Sequence, residues 1–224
     1  MKYPGVVDFF RIPKLGAAFY QSQVDSSARV VLQPAFYWDF GPGSPATGPG
    51  HSATVWSNCD RLEFHIGGRR VATALPQRDR FPHLARPPFV ADLSVRHGQH
   101  PDLRIDGFVG DRLAVRRSFS ADPTLDQLSC VADDRTLTAD GQDATRVVLR
   151  AVDRYGAARP YVAGALDFAI TGPGVLVGDN PFDFEAAGGA GAVWIRTIKG
   201  LTGQVILSAT HPTLGSAETA IQVV

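Results

Sequence analysis

Apolar and polar residues alternate along most of this chain in short runs broken by glycine, proline and aspartate. That two-residue period belongs to strands with one face in a core. Runs at 29–35, 53–57, 62–66, 69–74, 89–95, 103–109 and 113–119 predict a first series of about seven strands. Gly67-Gly68 reads as a hairpin turn between the third and fourth runs, and Gly110-Asp111 as the turn between the last two. The stretch 41–50 (GPGSPATGPG) is a loop by composition, and 77–88 a polar, proline-containing connection. Pro123, within Ser120-Ala-Asp-Pro-Thr124, fixes the backbone where the pattern stops and restarts. A second series follows at 127–132, 137–139, 146–153, 165–171, 175–178, 192–197, 203–209 and 218–224. Residues 188–191 (GGAG) read as a flexible turn within it.

Only residues 5–23 depart from this period. Pro13 suits the first turn of a helix, where its missing N–H costs nothing. Ile12, Leu15, Ala18 and Phe19 fall close to one helical stripe, and Phe9-Phe10 adds apolar surface just before it. A helix this short is marginal alone, so these side chains need a cover. The expected fold class is all-β: two immunoglobulin-like β-sandwich domains, 26–121 and 122–224, preceded by a short helix within 1–25 that reads as the tail of another domain. The two sandwiches share no residue-level repeat.

Composition narrows the partners. Lys plus Arg and Asp plus Glu are 22 each among 224 residues, and a net charge of zero argues against nucleic acid or an anionic membrane. No apolar run approaches the ~20 residues of a membrane span. Residues 1–4 (MKYP) lack the apolar stretch of a signal peptide, which says nothing of compartment if the sequence is internal to a longer one. Cys59 and Cys130, one per sandwich, read as buried free thiols.

Candidate chemistry is sparse, and no cofactor or metal is expected. There are three glutamates, Glu63, Glu185 and Glu218, and they fall in different units. Glu63 alternates with Leu62 and Phe64 and should face solvent. Asp133, Asp134, Asp140 and Asp143 cluster, but Leu137 and Ala139 stand where a calcium loop needs oxygen ligands, and Asp140-Gly141 is a hairpin signal. Asp179-Asn180-Pro181 reads as an Asx-type turn. His97 and His100 lack the further ligands zinc would need. Phe36-Tyr37-Trp38-Asp39-Phe40 sets four aromatics beside the 41–50 loop. Domain–domain packing is the favoured reading there, with sugar stacking by Tyr37 or Trp38 the alternative. Trp56 and Trp194 lie within strands and are expected in the core.

Several segments carry a resemblance. G-V-V-D-F-F-R-I-P-K followed by A-F-Y-Q-S-Q (5–23) resembles the end of the catalytic barrel of glycoside hydrolase family 2, the β-galactosidase family. V-W-S-N-C-D-R-L-E-F-H-I-G-G-R-R (55–70) is similar to a strand pair of the sandwich that follows that barrel. L-T-A-D-G-Q-D-A-T (137–145), G-P-G-V-L-V-G-D-N-P (172–181) and A-V-W-I-R-T (192–197) resemble the family's last sandwich.

The resemblance implies that 1–25 holds the last helix of a (β/α)8 barrel and that the parent is a retaining β-glycosidase. In the family both catalytic glutamates lie in the barrel, upstream of anything matched here, so no residue inherits a catalytic role. The implied partner is the catalytic barrel of the same parent chain, met through Phe9, Phe10, Ile12, Leu15 and Phe19. Self-association through the same helix, and carbohydrate at Tyr37 and Trp38, are the other partners considered. Two rivals follow: a carbohydrate-binding module, and an adhesin-like pair of immunoglobulin-like domains.

Overall fold

A computed structural model describes residues 5–224; the opening 1–4, read above for a leader, lie outside the described residues. The chain forms two compact units. The first runs to Leu125 and takes in Asp153–Ala157; the second comprises Asp126–Val152 and Ala158–Val224. Both are built of strands, and no helix among the described residues is long and apolar enough to cross a membrane.

The first unit opens with α1 (Ala17–Gln21), then β1 (Leu32–Pro34), β2 (Ala53–Ser57), β3 (Arg61–Ile66), β4 (Arg69–Ala74), β5 (Phe89–Ala91), β6 (Leu103–Val109) and β7 (Arg112–Phe119). The strands make two antiparallel sheets, ordered β1-β2-β5 and β4-β3-β6-β7. Alternation dictates the packing: Leu62 and Phe64 of β3, Leu103 and Ile105 of β6, and Val55 of β2 are fully buried, with Phe89 and Leu93 beside them. Gly107 faces the same core on β6, where an added Cβ would lie 2.7 Å from the Cys59 sulfur.

The second unit contains β8 (Gln127–Ala132), β9 (Thr136–Leu137), β10 (Ala144–Val152), β11 (Ala165–Thr171), β12 (Gly174–Val177), β13 (Phe182–Asp183), β14 (Ala190–Thr197), β15 (Gly203–His211) and β16 (Gly215–Val223). One sheet runs β12-β14-β10-β8 and the other β13-β11-β15-β16-β9. Every pairing is antiparallel except β9 with β16. Val147, Leu149, Val193, Ile195, Leu166, Val205 and Leu207 form its fully buried core.

Four local expectations are corrected. The helix is only five residues long, Ala17–Gln21, behind an N-terminal Gly16 that offers no side-chain cap. Pro13 does not start it. It closes an isolated bridge with Val7, inside a tight loop in which Asp8 Oδ1 accepts the Ile12 N–H at 2.8 Å. That local hydrogen bonding competes with helix, as short acidic side chains do. Asp140-Gly141 turns the chain, but not as a hairpin, because β9 pairs with β16 in one sheet and β10 with β8 and β14 in the other. The 188–191 segment is part turn, part strand: β14 starts at Ala190, and Gly191 is inside it because a Cβ there would sit 2.3 Å from Phe182 Cζ.

Candidate functional site

The N-terminal segment has two contrasting sides. Ile12, Ala17 and Ala18 are buried, and Phe10, Leu15 and Phe19 half-buried. Phe19 meets Trp56 edge-on at 5.3 Å, so the helix sits over the outer side of β2. Trp56 is thus a half-buried platform rather than a core residue, and its Nε1–H meets no acceptor among the described residues. Past the helix, Gln23 donates to the Arg86 carbonyl at 2.9 Å and accepts the Arg86 N–H at 3.2 Å. Other side chains of the segment stay uncovered: Phe9 is 75% exposed, and Val6, Val7 and Tyr20 are exposed as well. Of the five side chains expected to pack on a barrel, Ile12 is thus already covered by this chain, and Phe9 projects furthest.

The S-N-C-D segment at the β2–β3 corner is a backbone clamp. Asn58 accepts the Val31 N–H at 2.8 Å and donates to the carbonyls of Arg29 and Val24 at 2.7 and 3.1 Å. Ser57 Oγ donates to the Val31 carbonyl at 2.7 Å, and Asp60 accepts the Gly110 N–H at 2.8 Å. These contacts fix the route from the N-terminal segment into β1. Asn58 is itself fully buried, and its carboxamide would cost free energy if left unpaired.

The two aromatic candidates separate. Trp38 is 3% exposed, donates its indole N–H to the Pro101 carbonyl at 2.9 Å and packs edge-on against Phe40. Its ring faces are therefore not presented to a sugar. Tyr37, 42% exposed, is the ring of the pair that reaches solvent.

Glu63 departs from its expected exposure. It lies on the outer face of β3, yet its side chain is only 13% exposed, because Arg61 and Arg70 lie over it. Beside it on β6, Asp106 takes a bidentate pair from Arg116, at 2.6 and 3.0 Å. Burial alone would raise the Asp106 pKa, but Arg116 and the charge of Arg104 outweigh it and hold the carboxyl below its usual value. His65 Nε2 stands 3.7 Å from Asp106 and 3.9 Å from Glu63, beyond hydrogen-bond length from both. Both carboxylates of this face are thus engaged by arginines, while His65 Nε2 and Arg104 Nε are buried without a hydrogen-bond partner among the described residues.

The acidic turn is likewise committed. Asp140 Oδ1 accepts the N–H groups of Gln142 and Asp143, each at 2.7 Å, and Asp143 Oδ2 accepts that of Thr138 at 2.8 Å. Asn180 pairs with both backbone groups of Phe168 at 3.0 Å, in the manner of a strand neighbour. Glu218 Oε1 accepts from Ser208. His100 stacks on Phe40 at 4.7 Å. Cys59 and Cys130 are buried free thiols; burial raises both pKa values, that of Cys130 to about 11. Among the described residues, no group of three or more metal-ligating side chains gathers.

Trp194, expected in the core, is 36% exposed on the outer face of β14. The parity was legible, since Val193 and Ile195 on either side of it are the larger aliphatic pair and take the core.

Residues 128–220 match glycoside hydrolase family 2 C-terminal domain 5. The chain is 32% identical to a β-galactosidase of Thermoanaerobacter pseudethanolicus over 214 residues, covering 92% of this chain and 28% of that protein. It therefore spans little more than a quarter of that relative's length. A β-galactosidase of Rhizobium radiobacter is 34% identical over 115 residues, which cover 51% of this chain and 81% of the relative. A β-glycosidase from Bacteroides vulgatus shares the fold with a TM-score of 0.75 at 18% identity, over 98% of this chain and 28% of that one. Order of motifs, sandwich architecture and these likenesses agree: the chain belongs to glycoside hydrolase family 2 and corresponds to its C-terminal β-sandwich region.

Proposed function

We propose that this chain is a non-catalytic support for the catalytic (β/α)8 barrel of a β-galactosidase-like parent. Residues 1–25 carry the barrel's last helix, and 26–121 and 122–224 are the accessory sandwiches. One observation carries this reading. The N-terminal segment is docked through Ile12, Ala17, Ala18 and Phe19, while Val6, Val7, Phe9 and Tyr20 are left exposed to solvent. A segment fixed in place with large apolar side chains facing out is a ready contact surface.

The chemistry of hydrolysis belongs elsewhere in the parent. A retaining glycosidase needs two carboxyl groups ~5 Å apart, one able to act as acid. Here Glu63 is held by arginines and Glu218 by Ser208. The barrel would supply both catalytic glutamates, and the support role is to keep the barrel's outer wall folded.

The test is hydrolysis of chromogenic β-galactosides, β-glucuronides and β-mannosides by this chain and by the full-length parent. Turnover by the parent alone is the expected result. Turnover by this chain that survives replacement of Glu63, Glu185 and Glu218 overturns it. A second reading, carbohydrate retention at the exposed Tyr37 ring, predicts mobility on a neutral galactan gel that Tyr37→Ala restores.

A further inference from the structure

The outer face of the β12-β14-β10-β8 sheet has a composition unlike that of an ordinary solvated sheet. Register places Trp194 of β14 between Val177 of β12 and Arg146 of β10, and sets Arg196 beside Val175 in the next row. Val131 of β8 stands opposite Val148 on the same face. Trp194 is 36% exposed, Val175 38%, Val177 44% and Val131 50%. Alternation would ordinarily put short polar residues at such positions.

Arginines outnumber acids on this face and are only partly matched. Arg146 pairs with Asp133 at 2.8 Å. Arg150 and Arg196 join no ion pair or side-chain hydrogen bond among the described residues. Residues two apart on a strand lie ~7 Å apart and cross-strand neighbours ~5 Å. Arg196 and Arg146 therefore neighbour Trp194, one along β14 and one across on β10.

The geometry points to this face as a binding site for an acidic polysaccharide. The indole of Trp194 is the platform for the C–H face of a pyranose, and the guanidinium groups of Arg196 and Arg150 meet carboxylate or sulfate groups along the chain. A guanidinium presents its donors in a planar fork that matches either anion. A protein partner fits less well. A stable protein interface takes roughly 20–30 residues a side, whereas the apolar positions here are few and interrupted by arginines. The inference goes beyond the support role and stands whether or not the N-terminal segment packs on a barrel.

Affinity electrophoresis of the intact chain tests it, in gels holding polygalacturonate, dextran sulfate or neutral galactan. Retardation by at least one anionic polymer that exceeds any by galactan is expected, the two anionic gels separating carboxylate from sulfate recognition. Trp194→Ala should weaken it about tenfold. Arg196→Gln and Arg150→Gln should weaken it and flatten its dependence on salt. Thermal melts identify a Trp194→Ala protein that has failed to fold, in which case the two arginine variants decide. The inference is overturned by retardation that ignores Trp194 and both arginines, by equal retardation in galactan, by no retardation at all, or by a concentration-dependent dimer that Trp194→Ala abolishes.

Discussion

Asn58 and Val31 are joined by a hydrogen bond of 2.8 Å, from the Val31 N–H to the Asn58 side-chain carbonyl, and the same carboxamide holds Arg29 and Val24. One buried side chain thus satisfies three backbone groups where the N-terminal segment enters the first sandwich. Asn58→Ala leaves those groups unpaired and should cost roughly 3 kcal/mol. Urea unfolding of the variant beside Ser27→Ala, which alters an exposed turn, checks it. A loss no larger than that of Ser27→Ala would show the clamp to be dispensable.

Gly191 makes a second prediction, about packing. Its Cα faces Phe182, and an added Cβ would fall 2.3 Å from the ring. Gly191→Ala should destabilise the second unit by about 3 kcal/mol through overpacking. Gly191→Ala combined with Phe182→Leu should recover part of that loss, because the smaller side chain gives the methyl room. Strictly additive effects in the double-mutant cycle would mean the two positions do not share the space.

Much of this architecture was readable from the chain, and the misreadings have identifiable causes. Leu62 and Phe64 alternate cleanly and Gly67-Gly68 closes their hairpin, so β3 and β4 could be placed from local signals. The two-residue β9 could not be paired correctly, since its parallel neighbour β16 lies some eighty positions away and no turn records that distance. Glu63 obeyed its parity but not its exposure: long arginine side chains cover it, and period says nothing about what lies over a surface. Residues 5–23 carried a helical spacing that one short acidic side chain, Asp8, partly overrides. Of the candidate site residues, Tyr37 and Trp38 are adjacent in sequence and opposite in burial, a difference set by the Pro101 carbonyl 63 positions on.

Acid should act on the first unit through Asp102 and Asp106. Both carboxyl groups are held below their ordinary value of 3.8 although burial alone would raise them: the Ala121 N–H, Arg154 and Tyr155 outweigh it at Asp102, and the arginines do so at Asp106. Groups with a depressed folded pKa add stability that is present above the unfolded value and lost as pH falls through the folded one. Stability of the wild-type chain should therefore decline below about pH 4. Asp106→Asn should be less stable at pH 7 by roughly 2 kcal/mol and show a shallower decline. Chemical unfolding across pH 2–7 reads both, and an identical slope for the two proteins would remove Asp106 from the account.

The N-terminal segment yields the sharpest contrast, because its two sides make opposite predictions. Ile12 is 5% exposed and its truncation to alanine should cost roughly 2–4 kcal/mol, with the loop around Asp8 loosening as well. Phe9 is 75% exposed, so Phe9→Ser should change the stability of this chain by less than about 0.5 kcal/mol. In the full-length parent Phe9→Ser should no longer be neutral: it would remove an apolar contact to the barrel and lower the midpoint of thermal inactivation. Equal, negligible effects of Phe9→Ser in the short chain and in the parent would mean that the outward side of the segment covers nothing.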